Sequence, residues 1–578
     1  MGVSLFMDHD TLNWLNLADK FASEGDPKGM RACARELWQL DAESMDGAAV
    51  MAEAALYTGD YEEAHALLDE ILLKKPQHLR GRLVAAGLAA VEFRLDTEIP
   101  ELAKLVNELE RKLWALTPDE PYYKIVLYLL QKAQAWLADG YYLAAQPDKA
   151  AALMLAYSKK AADDEEKAAA YSKYLFMRNY REQGALEGKQ LAEKYEPLLN
   201  VTPYRHDEVK KLPDKKLRIG YISPDFRQHA VANFVAPLFK NFDSSRFSVY
   251  AYSTGRRDDV TKRLMASPIT WRDLRGRSPR TAARLIAEDQ IDILVDLSGH
   301  SNDNCMPIMA LRPAPVQVAG IGYMNTTGLS TVDYFLSDEV CLPSGDMAEQ
   351  GFTEKILRLP HSHLCYVPGA VREIPPAGTE APCLKNGFIT FGSFNNLAKV
   401  TDETLLLWRG ILEQVHSSKL VLKGKICSID SGRAILRDRL KRLSFDLARV
   451  EMRPYSPDYM EQYRDIDIAL DTMPYNGGLT TCEALFMGVP VVSLRGRRHG
   501  SRFGASILVN AGVKELVVEN DINYVRRAVQ LGNSPELIGA YHSGLRANLL
   551  KSPLMDVKNY MQELESGYCA IWRNFCTI

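Results

Sequence analysis

Residues 466–494 read IDIALDTMPYNGGLTTCEALFMGVPVVSL, and this stretch decides the fold. Ile466–Asp471 and Val489–Leu494 are short apolar runs of the kind that form buried strands. Between them lies a turn through Asn476-Gly477-Gly478 and a helix opening at Leu479-Thr480-Thr481. A strand, a helix and a strand in so few residues predict a parallel crossover unit. The junction is also chemically suggestive. Glycines admit a ligand close to the backbone, and a helix start offers amides without internal partners and the positive end of a dipole. Two threonine hydroxyls add donors, so Gly477, Gly478, Leu479, Thr480 and Thr481 make a candidate diphosphate cradle. Glu483, one turn on, is placed to accept from ribose hydroxyls. An ordinary capped helix explains the same local sequence equally well.

Working outward, Phe388–Phe394 and Leu420–Lys423 read as further strands of the same unit, with a helix over Asp402–Gln414. The turn Phe391–Lys399 (FGSFNNLAK) is rich in Gly and Asn and brings Asn396 and Lys399 to a strand end. A fixed ammonium there can stabilise a departing diphosphate. Arg495–Arg502 (RGRRHGSR) follows another strand and packs four arginines and a histidine together, which suits either an anion-facing loop holding Arg502 or a solvated basic loop.

The strand–helix rhythm also runs upstream of a Pro-rich break at Glu373–Pro382. Leu217–Ile222, Phe247–Tyr252, Ile291–Leu297 and Val316–Gly320 read as strands, with helix at Arg280–Ala287. Two successive doubly wound units predict two Rossmann-like lobes facing a cleft, the α/β GT-B architecture, with ligands beyond the carboxyl ends of the strands. The expected lobes span 216–375 and 385–535, with C-terminal helices over 536–578. His229 and His300 each follow a predicted strand and could serve as a general base near neutral pH, with Asp225 and Asp296 to orient them. Asn325–Gly328 is expected to line the acceptor entrance.

Before the basic joint VTPYRHDEVKKLPDKK (201–216) the rhythm is helical. Gly25-Asp26 and Gly59-Asp60 lie 34 residues apart, each between two apolar helices, which is tetratricopeptide spacing. Residues 1–205 are therefore expected to form a tetratricopeptide-like all-α region, either a groove for a protein partner or a helical spacer.

Bulk composition narrows the function class. A length of 578 residues implies several domains, and 47% hydrophobic with 25% charged residues is globular. A net charge of −4 gives no general pull toward nucleic acid or anionic membranes. The N-terminus MGVSLFMDHDTLNWLNL has no basic region of a signal peptide, and no apolar run is long enough to cross a bilayer. The nine cysteines, with no C-x-x-C pair, argue against a disulfide framework or a structural zinc site. Together these suggest a cytoplasmic protein.

The phrases RIGYISPDFRQH (218–229), ILVDLSGH (293–300), LRPAPVQVAGIGYMNTTG (311–328), VDYFLSDE (332–339), GFITFGSFNNLAKV (387–400), IDIALDTMPYNGG (466–478) and TTCEALFMGVPVV (480–492) resemble the O-linked N-acetylglucosamine transferase family, glycosyltransferase family 41, in its SPINDLY-like bacterial branch. The resemblance implies an inverting, metal-independent transfer of a sugar from a nucleotide diphosphate to Ser or Thr of a protein docked on the helical repeats. It assigns Lys399 to diphosphate neutralisation, Asn396 to a nearby polar donor, Thr480 and Thr481 to the phosphate, Glu483 to the ribose and His229 to the acceptor side. Where animal members read Asn-Gly-His-Thr-Thr, this chain has Asn476-Gly477-Gly478-Leu479-Thr480. The donor therefore stays open between UDP-N-acetylglucosamine and GDP-fucose, and a non-catalytic helical scaffold is the third reading. Flagellin is the leading acceptor if the gene lies beside flagellar genes.

Overall fold

The structure is a computed structural model of the full chain and describes residues 8–161, 163–370, 373–378 and 380–577. Residues 1–7 of the N-terminal segment read above lie outside that description. The chain divides into two compact units.

The first unit comprises the residues up to Ala161 together with Ser428–Leu436. Its helices are α1 (His9–Ser23), α2 (Pro27–Leu40), α3 (Met45–Thr58), α4 (Tyr61–Lys74), α5 (Leu79–Val91), α6 (Leu95–Trp114), α7 (Pro121–Leu143) and α8 (Pro147–Lys160). The 34-residue spacing acts through its corners. Gly25 and Gly59 take left-handed φ values of 69° and 78°, closing α1 and α3. Asp26 and Asp60 then cap α2 and α4 by accepting from first-turn amides. A third corner stands 34 residues beyond Gly59, where Phe93 adopts φ 58° before α6. Sequence inspection missed it because Phe93-Arg94 replaces Gly-Asp.

The helical region expected over 1–205 is helical as far as Leu198, and the first compact unit ends within it at Ala161. Helices α9 (Asp164–Arg178) and α10 (Ala185–Ala192) belong to the second unit. Their polar side chains are committed to it: Ser172 Oγ lies 2.8 Å from His300 Nδ1, and Asn179 Nδ2 donates to the Tyr323 hydroxyl at 3.3 Å.

The second unit holds two parallel sheets. The first has strands β1 (Leu217–Ser223), β2 (Phe247–Ser253), β3 (Thr270–Asp273), β4 (Ile293–Asp296), β5 (Val316–Ala319), β6 (Tyr334–Asp338) and β7 (Lys355–Leu359), in the order β3-β2-β1-β4-β5-β6-β7. The second has β8 (Ile389–Ser393), β9 (Ser418–Gly424), β10 (Val450–Pro454), β11 (Ile468–Leu470), β12 (Val491–Leu494) and β13 (Val517–Val518), in the order β10-β9-β8-β11-β12-β13. Every pairing is parallel. The central strands β4, β5 and β8 are buried throughout, as sheets covered on both faces require. Strand order reverses between β1 and β4 in one lobe and between β8 and β11 in the other, and these switch points are where such sheets bind ligands.

Sequence reading passed over β3, β6, β7, β10 and β13. Two of them, β3 and β10, are half-exposed edge strands with charged residues, which lack an apolar run. The helices expected at 536–578 do not form a separate unit. Pro535–Leu549 packs on the second lobe, whereas Val557–Thr577 returns to β5 and β7 of the first. There Glu565 accepts from the Asp243 amide at 2.8 Å, and Tyr568 meets Tyr221 at 3.3 Å. Among the described residues no helix is long and apolar enough to cross a membrane.

Phe93 is 57% exposed, so its ring contributes little packing while its backbone occupies the left-handed region. Phe93→Gly is expected to raise the local opening free energy of α5–α6 by about 0.5–1 kcal/mol, and Gly59→Ala to lower that of α3–α4 by about 1 kcal/mol. Amide hydrogen exchange of the full chain reads both.

Candidate functional site

Asp471 follows β11 and is fully enclosed. Its carboxylate accepts from the Ser493 hydroxyl of β12 at 2.6 Å, the Gly477 amide at 2.7 Å and the Thr472 amide at 2.8 Å. The loop is thereby folded back on its own strand, and the Asn476 side chain adds a bond to the Thr472 carbonyl at 2.7 Å. Burial pushes the Asp471 carboxyl up to about 6, against the pull of these donors and of Lys399.

Lys399 sits opposite, at the end of β8. Its Nζ donates to the Asn476 carbonyl at 2.9 Å and lies 3.6 Å from the centre of the Tyr475 ring. Burial lowers this ammonium to about 8, while the Asp471 charge opposes the fall. An ammonium so placed has further donors to offer a ligand anion.

The helix Leu479–Phe486 starts at Gly478, which supplies no side-chain cap. Its first-turn amides lack partners within the helix. Thr480 Oγ1 donates to Asn395 Oδ1 at 2.7 Å, while Thr481 is buried behind it. A Cβ on Gly477 would stand 2.6 Å and 2.8 Å from the two threonine hydroxyls, whereas one on Gly478 would meet nothing within 4 Å. Gly477 therefore lets the loop pack on the threonines, and Gly478 leaves the helix mouth open. Glu483 is buried one turn below, where it accepts from the Tyr459 hydroxyl, and Tyr463 donates to the Thr480 carbonyl at 3.2 Å.

The two lobes share a cavity of about 560 Å³ lined by Gln228, His229, Arg256, Arg257, Tyr455 and Leu479, among others. It joins the loop after β1 to the helix mouth of the second lobe. His229 Nδ1 faces Asp225 Oδ2 at 3.5 Å and the Val231 amide at 3.4 Å. Burial lowers its pKa despite the Asp225 charge, which favours the neutral ring, the form that can take a proton.

Other expected residues are placed differently. His300 is 1% exposed with Nδ1 on Ser172 and Nε2 on the Thr327 carbonyl, each at 2.8 Å, and burial drops its pKa to about 4. It pins α9 to the first lobe and has no nitrogen left for a substrate. Asp296 binds Ser298 and the Gly299 amide, not His300. Arg502 pairs with Asp346 at 2.9 Å and donates to the Cys341 and Gly496 carbonyls, so it ties the lobes together outside the cradle. The exposed Asn396 side chain caps the turn at Ala398, and its neighbour Asn395 is the residue that touches Thr480. Thr326 and Thr327 are buried on Glu354 instead of lining an entrance.

Sequence reading missed Asp471 as an organiser and the pair Arg256-Arg257 as cavity lining. The arginines carry the signal used for RGRRHG, basic residues just after a strand, and Arg256 has no ion-pair partner among the described residues.

Two parallel-sheet lobes facing one cavity define the GT-B class of fold, and similarity to known proteins gives the family. The profile of "Glycosyl transferase family 41" matches residues 174–367 and 377–564, so the chain belongs to that family. The chain is 40% identical over 376 residues to "Probable UDP-N-acetylglucosamine--peptide N-acetylglucosaminyltransferase SPINDLY" of Solanum lycopersicum, covering 63% of this chain and 40% of that protein. A relative of the same name from Oryza sativa subsp. japonica is 38% identical over 434 residues, covering 73% of this chain and 46% of that protein. The chain thus spans less than half the length of these curated relatives. A solved structure of a mutant Thermobaculum terrenum O-GlcNAc transferase aligns over 99% of both chains with TM-score 0.73 and 26% identity.

With burial holding Lys399 at about 8, affinity for a nucleoside diphosphate is expected to fall as pH rises through that value. The sign follows from the charge: the ammonium is present below that value and lost above it. Calorimetric titration should show the dependence vanish in Lys399→Met and its midpoint move to lower pH in Asp471→Asn. Gly477→Ala should weaken binding roughly tenfold or more by displacing the threonines.

Proposed function

We propose that the chain is an inverting protein O-glycosyltransferase that moves N-acetylglucosamine from UDP-N-acetylglucosamine to Ser or Thr hydroxyls, holding the pyrophosphate with protein groups and no divalent metal. One observation carries this reading. The ammonium of Lys399 touches the carbonyl of Asn476, where the glycine loop opens, and the helix that follows shares its cavity with His229 of the other lobe. The names of the SPINDLY relatives and of the Thermobaculum enzyme support the donor and the protein acceptor.

In this mechanism the acceptor oxygen attacks the anomeric carbon as the bond to the diphosphate breaks. Lys399 and the helix-mouth amides meet the charge that develops on the leaving oxygen, where prepositioned donors contribute most. His229 takes the hydroxyl proton, with Asp225 behind it stabilising the imidazolium. Arg256 and Arg257 add positive charge at the cavity rim. The helical unit recruits the acceptor protein.

The test is incubation of the full chain with UDP-N-acetylglucosamine and GDP-fucose in parallel, reading released nucleotide, then mass spectrometry of co-expressed acceptors including a flagellin. UDP release with an N-acetylhexosamine adduct on Ser or Thr supports the proposal. Fucose transfer from GDP-fucose alone would replace the donor, and no release from either would favour the scaffold reading. Lys399→Met should cut kcat by roughly 10²–10³, and His229→Asn by roughly 10²–10⁴.

A further inference from the structure

A second cluster lies apart from the cradle, where the Arg495–Arg502 loop meets the first lobe. Cys341, His363 and His499 each offer one ligand atom, and the three atoms lie within 4.8 Å of one another. All three residues are at most 2% exposed. Cys341 and His363 come from the loops after β6 and β7, and His499 comes from the second lobe.

The hydrogen bonding at the far side of each imidazole fixes what the near side presents. His363 Nδ1 lies 2.5 Å from Asp338 Oδ2, and His499 Nδ1 lies 3.4 Å from the Met324 carbonyl oxygen. Both partners are acceptors, so each Nδ1 carries a proton, and in the neutral ring each Nε2 presents a lone pair. Both Nε2 atoms are buried with no hydrogen-bond partner. The Cys341 thiol donates to the Arg502 carbonyl at 3.5 Å, so neither Nε2 has a donor, and buried polar groups are seldom left so. A carboxylate or carbonyl on the outer nitrogen of an inward-facing histidine is how metal-bound imidazoles are held.

The surroundings agree. Phe335 and Phe503 pack against the two imidazoles with ring centres 5.1–5.3 Å apart, giving a dry wall. Asp338 also accepts from the Cys341 amide at 2.7 Å and the Ser506 hydroxyl at 2.8 Å, so its position is fixed. Charge closes as well: a divalent cation, the Cys341 thiolate and the Asp338 carboxylate sum to zero, which suits a buried site.

We propose that Cys341, His363 and His499 bind one zinc ion that clasps the two lobes together. One thiolate and two neutral imidazoles suit zinc in ligand type. Ligand atoms of a tetrahedral zinc stand about 3.5 Å apart, so small side-chain rotations complete the site. Binding releases the thiol proton to solvent, and one water completes the tetrahedron, as at zinc sites with three protein ligands. The ion clasps the lobes and takes no part in the proposed sugar transfer.

The test uses the full chain, stripped with a chelator and titrated with Co²⁺ as an optical stand-in for zinc. The proposal expects about one Co²⁺ per chain, the strong visible bands of a tetrahedral ion and a near-ultraviolet thiolate charge-transfer band. Cys341→Ser should abolish the charge-transfer band, and Cys305→Ser, a buried thiol elsewhere, should keep it. Asp338→Asn should weaken zinc binding roughly 10- to 100-fold. Zinc should also raise the unfolding temperature of the wild type and not that of His499→Gln. Wild-type protein that gives only weak octahedral cobalt absorption, or a band that survives Cys341→Ser, overturns the proposal, whatever the transferase assay shows.

Discussion

The second lobe is organised around a buried carboxylate that faces an ammonium. Asp471 binds the amide of Gly477, the hydroxyl of Ser493 and, through charge, Lys399. An isolated carboxylate in this position would be prohibitively costly, so the donors around it are a condition of the fold. The same contacts set the glycine loop and the direction of the helix mouth, and the Asp471 charge opposes the fall that burial imposes on the lysine. Structural and chemical roles meet in one side chain. Space enforces the arrangement too: a Cβ on Gly504 would come within 2.4 Å of Asp471 Oδ2.

The fold brings this pair to a second, independent loop. Lys399 and the glycine loop follow β8 and β11, and His229 follows β1, so each lobe contributes from its own switch point. Fixed crossing points of this kind keep two short loops in register across a cleft. The last helix, Val557–Thr577, returns to the first sheet, and His300 pins α9 to the same lobe. His300 thereby shows how a motif histidine can serve position instead of proton transfer.

Much of this was legible in the chain. Apolar runs revealed the strands at the centre of each sheet because those strands are buried on both faces. The helix Asp402–Gln414 and the Gly25 and Gly59 corners were readable because caps and left-handed turns demand particular residues. Edge strands escaped, since half-exposed strands such as Val450–Pro454 carry no such run. The third repeat corner escaped because Phe93 breaks the Gly rule. Asp471 was read only as the end of a strand, because its partners at 477, 493 and 399 become neighbours through folding alone. The Cys341–His363–His499 cluster is the extreme case: its members stand far apart in sequence, so the ligand-spacing rule that spoke against a structural zinc site cannot see it.

The central claim is that a sugar nucleotide's pyrophosphate rests between Lys399 and the opening of the helix at Leu479. A crystal structure with UDP bound tests it directly. The account predicts a phosphate oxygen in hydrogen-bond reach of Lys399 Nζ and of the amides at 479–481, with the sugar side facing His229. Ordered diphosphate elsewhere in the cleft, with Lys399 still turned onto Asn476 and Tyr475 alone, would contradict it.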